Sequence, residues 1–109
     1  MLTLLLLCAV LSSAGALDYS WRRLHLCADP DRLRETVDDY RHRFPCLDCR
    51  KHFETLLQHH PFPLELVRTP RDAQIWTWFT HNLVNLRLDK PWQGWDIMDT
   101  YTNRTCAAP

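Results

Sequence analysis

Apolar side chains recur along this chain three and four positions apart, and no stretch alternates convincingly at two, so the pattern predicts helices throughout. From Tyr19 to Leu26 a short helical stretch clusters Trp21, Leu24 and His25 on one side. Asp29-Pro30 is a start signal, with Asp as N-cap and Pro at the first helical position. Leu33, Val37, Tyr40 and Phe44 follow at helical spacing, and Pro45 ends that helix. The next helix starts at Cys46 and carries Cys49, Phe53, Leu56 and Leu57 before His60-Pro61. Residues 61–68 hold two prolines among apolar side chains and read as a packed loop. Thr69-Pro70-Arg71-Asp72 resembles a capping box with Pro at the first position. A long helix follows through Ile75, Trp78, Phe79, Asn82, Leu83, Asn85 and Leu86, and ends before Pro91. A last short helix runs from about Gly94 to Tyr101. The fold class is all-α: a bundle of four helices plus a short fifth.

The apolar run Leu4 to Leu11, followed by Ala14-Gly15-Ala16, suits a signal-peptide core and cleavage site, although no Lys or Arg precedes it. It is too short to span a bilayer, which takes about 20 residues. Residues 1–16 are therefore read as a signal peptide and 17–109 as one domain. Cleavage removes Cys8 and leaves Cys27, Cys46, Cys49 and Cys106. An even count in a small secreted chain suggests two disulfides. The spacing favours Cys46–Cys49, leaving Cys27 and Cys106 to pair within or between chains. Asn103-Arg104-Thr105 is a glycosylation triplet, meaningful only in the secretory pathway.

Composition narrows the function classes. Thirteen basic and thirteen acidic side chains balance, so no basic field points to nucleic acid. Only two glycines are present, Gly15 and Gly94, which excludes G-x-G-x-x-G and P-loop nucleotide sites. Five tryptophans are many for 109 residues and read as fillers of a small core.

The chemistry centres on Phe44-Pro45-Cys46-Leu47-Asp48-Cys49. Cys46 is expected at or near a helix N-cap and Cys49 in the first turn, where free N–H groups and the helix dipole favour a thiolate. Taken alone, Cys-x-x-Cys suits a redox centre, half a zinc site or a structural bridge. Asn82 and Asn85 beside His81 are poor mid-helix residues and suggest polar groups facing a buried polar ligand. Lys90 follows and is placed to reach a phosphate. Trp21 and His25, four apart, share a face that would hold a planar ring. His59 and His60 are adjacent, about 100° apart on a helix, so joint ligation of one metal ion is strained. A zinc module also lacks a second tight Cys or His pair.

These residues resemble the Erv/ALR family of FAD-linked sulfhydryl oxidases. Four pieces match in order: Trp21-x-x-Leu24-His25; Phe44-Pro45-Cys46-x-x-Cys49-x-x-x-Phe53; His81-Asn82-x-Val84-Asn85-x-x-Leu88-x-Lys90-Pro91; and an aromatic helix ending at Tyr101 with a cysteine soon after. The resemblance covers roughly residues 19–106. It implies a helical bundle holding FAD without covalent attachment at the bundle mouth. It implies Cys49 as the cysteine beside the flavin and Cys46 as the outer cysteine that exchanges with substrate. Trp21, His25, His81, Asn82, Val84, Asn85, Lys90 and Tyr101 would line the cofactor. The substrates would be protein or small-molecule thiols and O2, the product H2O2, and the assembly a head-to-tail homodimer.

The chain departs from the family in two places, and a further cysteine resembles it. Leu17-Asp18-Tyr19-Ser20 stands where the family usually has Gly-Arg, so one cofactor contact is missing. A disulfide between the third and fourth helices of some relatives is absent, which shifts stability onto aromatic packing. Cys106 resembles a C-terminal cysteine that pairs across the dimer in some relatives; as bridge or as shuttle, its pairing with Cys27 stays open. The alternative function is a flavin-less, disulfide-stapled secreted binding protein of the same fold. The N-terminus points to the secretory pathway; the minimal length resembles viral members, for which the alternative is the cytoplasm or virion of an infected cell.

Overall fold

The computed structural model describes residues 18–107. Four α-helices and two short 3₁₀ segments follow in order: α1 Trp21–Leu26, α2 Pro30–Arg43, α3 Leu47–His59, a turn Leu64–Leu66, α4 Pro70–Arg87, and a 3₁₀ helix Trp95–Thr100. Among the described residues there is no strand. The architecture is the all-α bundle read from the periodicity. The fifth element differs in kind: it winds as a 3₁₀ helix, with the Ile97 N–H donating to Gly94 O and the Tyr101 N–H to Met98 O, each at 3.2 Å. Six residues give few α-type bonds, and i→i+3 closure suits so short a piece. Residues 61–68 contain the Leu64–Leu66 turn and bury Val67. The signal-peptide reading of residues 1–16, with Cys8, lies outside the described residues.

The helix starts follow the capping chemistry of the sequence. Ser20 Oγ accepts from the Arg23 N–H at the head of α1. Asp29 accepts from the Asp31 and Arg32 N–H groups at the head of α2. Thr69 and Asp72 exchange bonds as a full capping box at the head of α4. Each such cap is worth about 1 kcal/mol.

The core is small. Leu24, Leu33, Val37, Tyr40, Val67, Ala73 and Trp76 are buried together with Cys27. Of the five tryptophans expected in the core, only Trp76 is fully buried. Trp78, half-exposed, meets Trp92 and Trp95 edge-on, at 5.8 and 5.5 Å between ring centres. Edge-to-face pairs add about 0.5–1.5 kcal/mol beyond their area. This cluster ties the chain after α4 back onto that helix. Cys27 and Cys106 form a disulfide within the chain, joining the end of α1 to the C-terminal segment.

Arg23 was not singled out by the sequence, yet it is 3% exposed. Its guanidinium lies 5.2 Å from the Tyr40 ring centre and 3.7 Å from Asp39 Oδ2, and donates to Asp18 O at 2.9 Å. The charge is compensated by a carboxylate, a carbonyl and an aromatic face, which is what makes its burial tolerable.

At the other end of α4 the Lys90 N–H donates to Asn85 O at 2.8 Å and the Asp89 N–H to Leu86 O at 3.3 Å. This is a Schellman ending, in which the residue after the C-cap turns left-handed. That residue is Asp89, at φ 58°, where glycine would carry no Cβ penalty. Asp89→Gly is therefore expected to stabilise the protein by about 0.5–1 kcal/mol, the relieved strain outweighing the extra freedom of the unfolded chain. Thermal unfolding of the two proteins under one condition checks this; a lower midpoint for the glycine variant would contradict it.

Candidate active site

Pro45 stops α2 and leaves Cys46 in extended geometry, φ −92° and ψ 113°, as the N-cap of α3. Its Sγ accepts the Cys49 N–H at 3.2 Å, and the two cysteines are joined in a disulfide. Their surroundings differ. Cys46 is exposed, whereas Cys49 is half-buried and lines a cavity of about 290 Å³. Trp21 and Leu24 of α1, Tyr40 of α2, Phe53 of α3 and Val84 of α4 share its lining, so all four helices contribute a wall. The head of α3 offers free N–H groups and the positive end of its dipole to whichever sulfur becomes a thiolate on reduction. Arg50, one turn in, donates to His42 O at 2.8 Å and braces α3 against the end of α2.

A second group of candidates meets between α1 and α4. His25 is 2% exposed, and its Nε2 lies 2.8 Å from Nδ1 of His81, so the two rings share one proton as donor and acceptor. The Trp21 ring stacks on His81 at 4.3 Å and 5° between planes. Tyr101 closes the other side, 4.7 Å from the His25 ring. Burial lowers the His25 pKa to about 3, helped by His81 and by the Arg104 charge. Burial likewise lowers that of His81 to about 4, with Lys90 adding to the effect. Both rings are therefore neutral near pH 7. The Nδ1 atom of His25 is buried with no hydrogen-bond partner, an unspent polar group inside the site.

Two of the remaining expectations are refined. Asn82 is engaged with the loop after α4: Nδ2 donates to Gln93 O at 3.0 Å, and Oδ1 accepts the Gln93 N–H at 2.7 Å, which leaves its second N–H and second lone pair unused by these bonds. Trp78 Nε1 donates to the same carbonyl at 2.9 Å, so both side chains pin the loop that carries Lys90. Asn85 is buried on α4, and Lys90 is exposed on the loop. The Cys27–Cys106 pair, left open between bridge and shuttle, is an intrachain bridge whose Cys27 end is buried. His60 is spent elsewhere: its Nε2 pairs with Thr80 Oγ1 at 2.6 Å and its Nδ1 accepts the Phe62 N–H.

The sequence reading missed Arg104. It donates to Met98 O at 2.7 Å and to His25 O at 3.4 Å, holding the C-terminal segment across α1. Its only mark in the sequence is a place inside Asn-x-Thr, which says nothing of an inward-facing guanidinium.

Residues 19–104 match the Erv1 / Alr family. The chain is similar to "Sulfhydryl oxidase 2" of Homo sapiens, 38% identical over 61 residues, which is 55% of this chain and 8% of that protein. It is similar to "Sulfhydryl oxidase 1" of Oryza sativa subsp. japonica, 41% identical over 56 residues, which is 50% of this chain and 10% of that protein. It thus spans about a tenth or less of the length of these relatives. It is also similar to the "FAD-linked sulfhydryl oxidase" of African swine fever virus (isolate Pig/Kenya/KEN-50/1950), 33% identical over 85 residues, which is 69% of each chain. No solved structure matches it.

The buried histidine pair fixes the sign of a pH dependence. Both folded pKa values lie below the ordinary 6.5, so as pH falls the unfolded chain takes up protons first. The stability from this pair is complete above 6.5 and drains away as pH falls through 4 toward 3. The unfolding midpoint should fall from pH 6.5 toward 4, and less steeply in His25→Gln. Equal slopes in the two proteins would contradict the assignment.

Proposed function

This chain belongs to the Erv1 / Alr family, and from that premise we propose that it is an FAD-dependent sulfhydryl oxidase, joining thiols of protein or small-molecule substrates into disulfides and delivering the electrons to O2. The observation that carries the reading is the asymmetry of the cysteine pair. One sulfur is open to solvent, and the other stands at the cavity shared by all four helices.

The thiol chemistry follows from that asymmetry. A substrate thiolate attacks Cys46 Sγ, the reachable sulfur; a mixed disulfide forms and Cys49 leaves as a thiolate. The head of α3 stabilises that anion. A second substrate thiolate attacks the substrate sulfur of the mixed disulfide, releasing the oxidised product and the Cys46 thiolate. Two electrons then reside on the cysteine pair. FAD, when bound, supplies the acceptor for those two electrons and the route by which O2 becomes H2O2.

The residues fit such a group. His25 Nδ1 is buried without a partner, Trp21 presents a flat ring beside two neutral imidazoles, and the Cys49 cavity is walled by apolar and aromatic side chains. Trp21, His25, His81, Val84, Asn85, Lys90 and Tyr101 would hold it. Asn82 would join them while it pins the loop. Arg104 and the Cys27–Cys106 bridge keep Tyr101 in place against His25. The chain is read as a homodimer, which would cover apolar side chains such as Leu86, 68% exposed, and Trp92, 51% exposed. No helix among the described residues is long and apolar enough to cross a membrane. The intrachain bridge and the signal-like N-terminus support the secretory pathway over the cytoplasm of an infected cell.

Cys49→Ser tests the mechanism. The variant is expected to keep its flavin absorbance while thiol-driven oxygen uptake falls by on the order of 10³-fold or more. Undiminished turnover in that variant would refute the assignment.

A further inference from the structure

The segment after Tyr101 carries Asn103-Arg104-Thr105, an Asn-x-Thr triplet with no proline in the middle. The fold divides its three side chains. Arg104 is half-buried, its guanidinium held by Met98 O and His25 O. Asn103 and Thr105 are exposed. Asn103 takes φ 54°, a left-handed bend that asparagine adopts more readily than most residues. The Thr105 hydroxyl donates to the Asn103 carbonyl at 3.2 Å, so amide and hydroxyl sit on one exposed turn. Cys106, immediately beyond, ties the turn down through Cys27.

We propose that Asn103 carries an N-linked glycan. This rests on the secretory reading given under Proposed function. In the modification Asn103 Nδ2 attacks the anomeric carbon of a polyprenyl-diphosphate-linked oligosaccharide. A C–N bond forms, the C–O bond to the diphosphate breaks, the diphosphate leaves with the electron pair, and the amide proton goes to a base; no atom changes oxidation state. A transferase must grip the Asn103 and Thr105 side chains together. In the folded turn the Thr105 hydroxyl is already engaged and Arg104 is locked beneath it. Transfer therefore precedes docking of this segment and closure of Cys27–Cys106. Once docked, the sugar lies on the solvent side and leaves Arg104, Tyr101 and the bridge undisturbed.

The test expresses the full chain in cultured secretory cells beside Asn103→Gln, Thr105→Ala and Thr105→Ser. Gel mobility is read before and after peptide N-glycosidase, and the N-terminus and membrane protection are read from the same samples. The expected result is one glycosidase-sensitive shift in the wild type and Thr105→Ser, absent in the other two, with Asn103 converted to Asp by the glycosidase. A lumenal, N-terminally trimmed wild type with no shift would overturn the glycan and leave the compartment reading standing. A chain that stays in the cytosol with Met1 intact would overturn both. Loss of the glycan in Cys106→Ser would overturn the proposed order of transfer and bridge closure.

Discussion

A helix of six residues cannot hold itself together in water, and α1 carries two side chains of the candidate site. Trp21 and His25 sit on it, so the site exists only as long as α1 is pressed against α4. Three devices do the pressing. Leu24 and Arg23 are buried among α2 and the chain before α1, the His25–His81 contact crosses to α4, and the Cys27–Cys106 disulfide fastens the end of the helix. In the chain-entropy picture a loop of this length contributes about 4–5 kcal/mol, a large share of a small domain's stability. The bridge does more than stabilise: it brings Tyr101 and Arg104 over His25, so one covalent link closes both the fold and one side of the site.

The Cys46–Cys49 pair is held by a different logic. Pro45 ends one helix and Cys46 caps the next, which sets the two sulfurs one turn apart at the head of α3; the other helices then wall the cavity beside Cys49. The N-cap and first-turn placement is local in sequence and was legible from the residues. The helix starts at Asp29-Pro30 and Thr69-Pro70 were legible for the same reason, because capping and proline rules act over four residues.

What the sequence left unread depends on contacts between distant positions. No pattern in the sequence distinguishes Arg23 from the exposed Arg22; Tyr40 and Asp39, brought over by α2, join the Asp18 carbonyl in making its burial tolerable. The bonds of Asn82 to the Gln93 backbone were not legible, because Gln93 lies beyond the end of the helix in a loop whose path no periodicity describes. Spacing does not decide whether Cys27 and Cys106 pair within or between chains, since the two stand 79 positions apart. The fifth helix was placed well, and its 3₁₀ winding was not legible, six residues being too few for an apolar pattern to separate 3₁₀ from α. The tryptophans were read as core, yet Trp78, Trp92 and Trp95 form a half-exposed clasp outside it.

The central claim is that this bundle couples a solvent-facing disulfide to a flavin. The visible absorption spectrum of the purified full-length protein, recorded before and after dithiothreitol is added in air with peroxide assayed in the same cuvette, tests it most directly. The account predicts a flavin band that bleaches on reduction and returns as the dithiol is consumed, with one peroxide formed per disulfide. A colourless protein that stays colourless when FAD is supplied would contradict it.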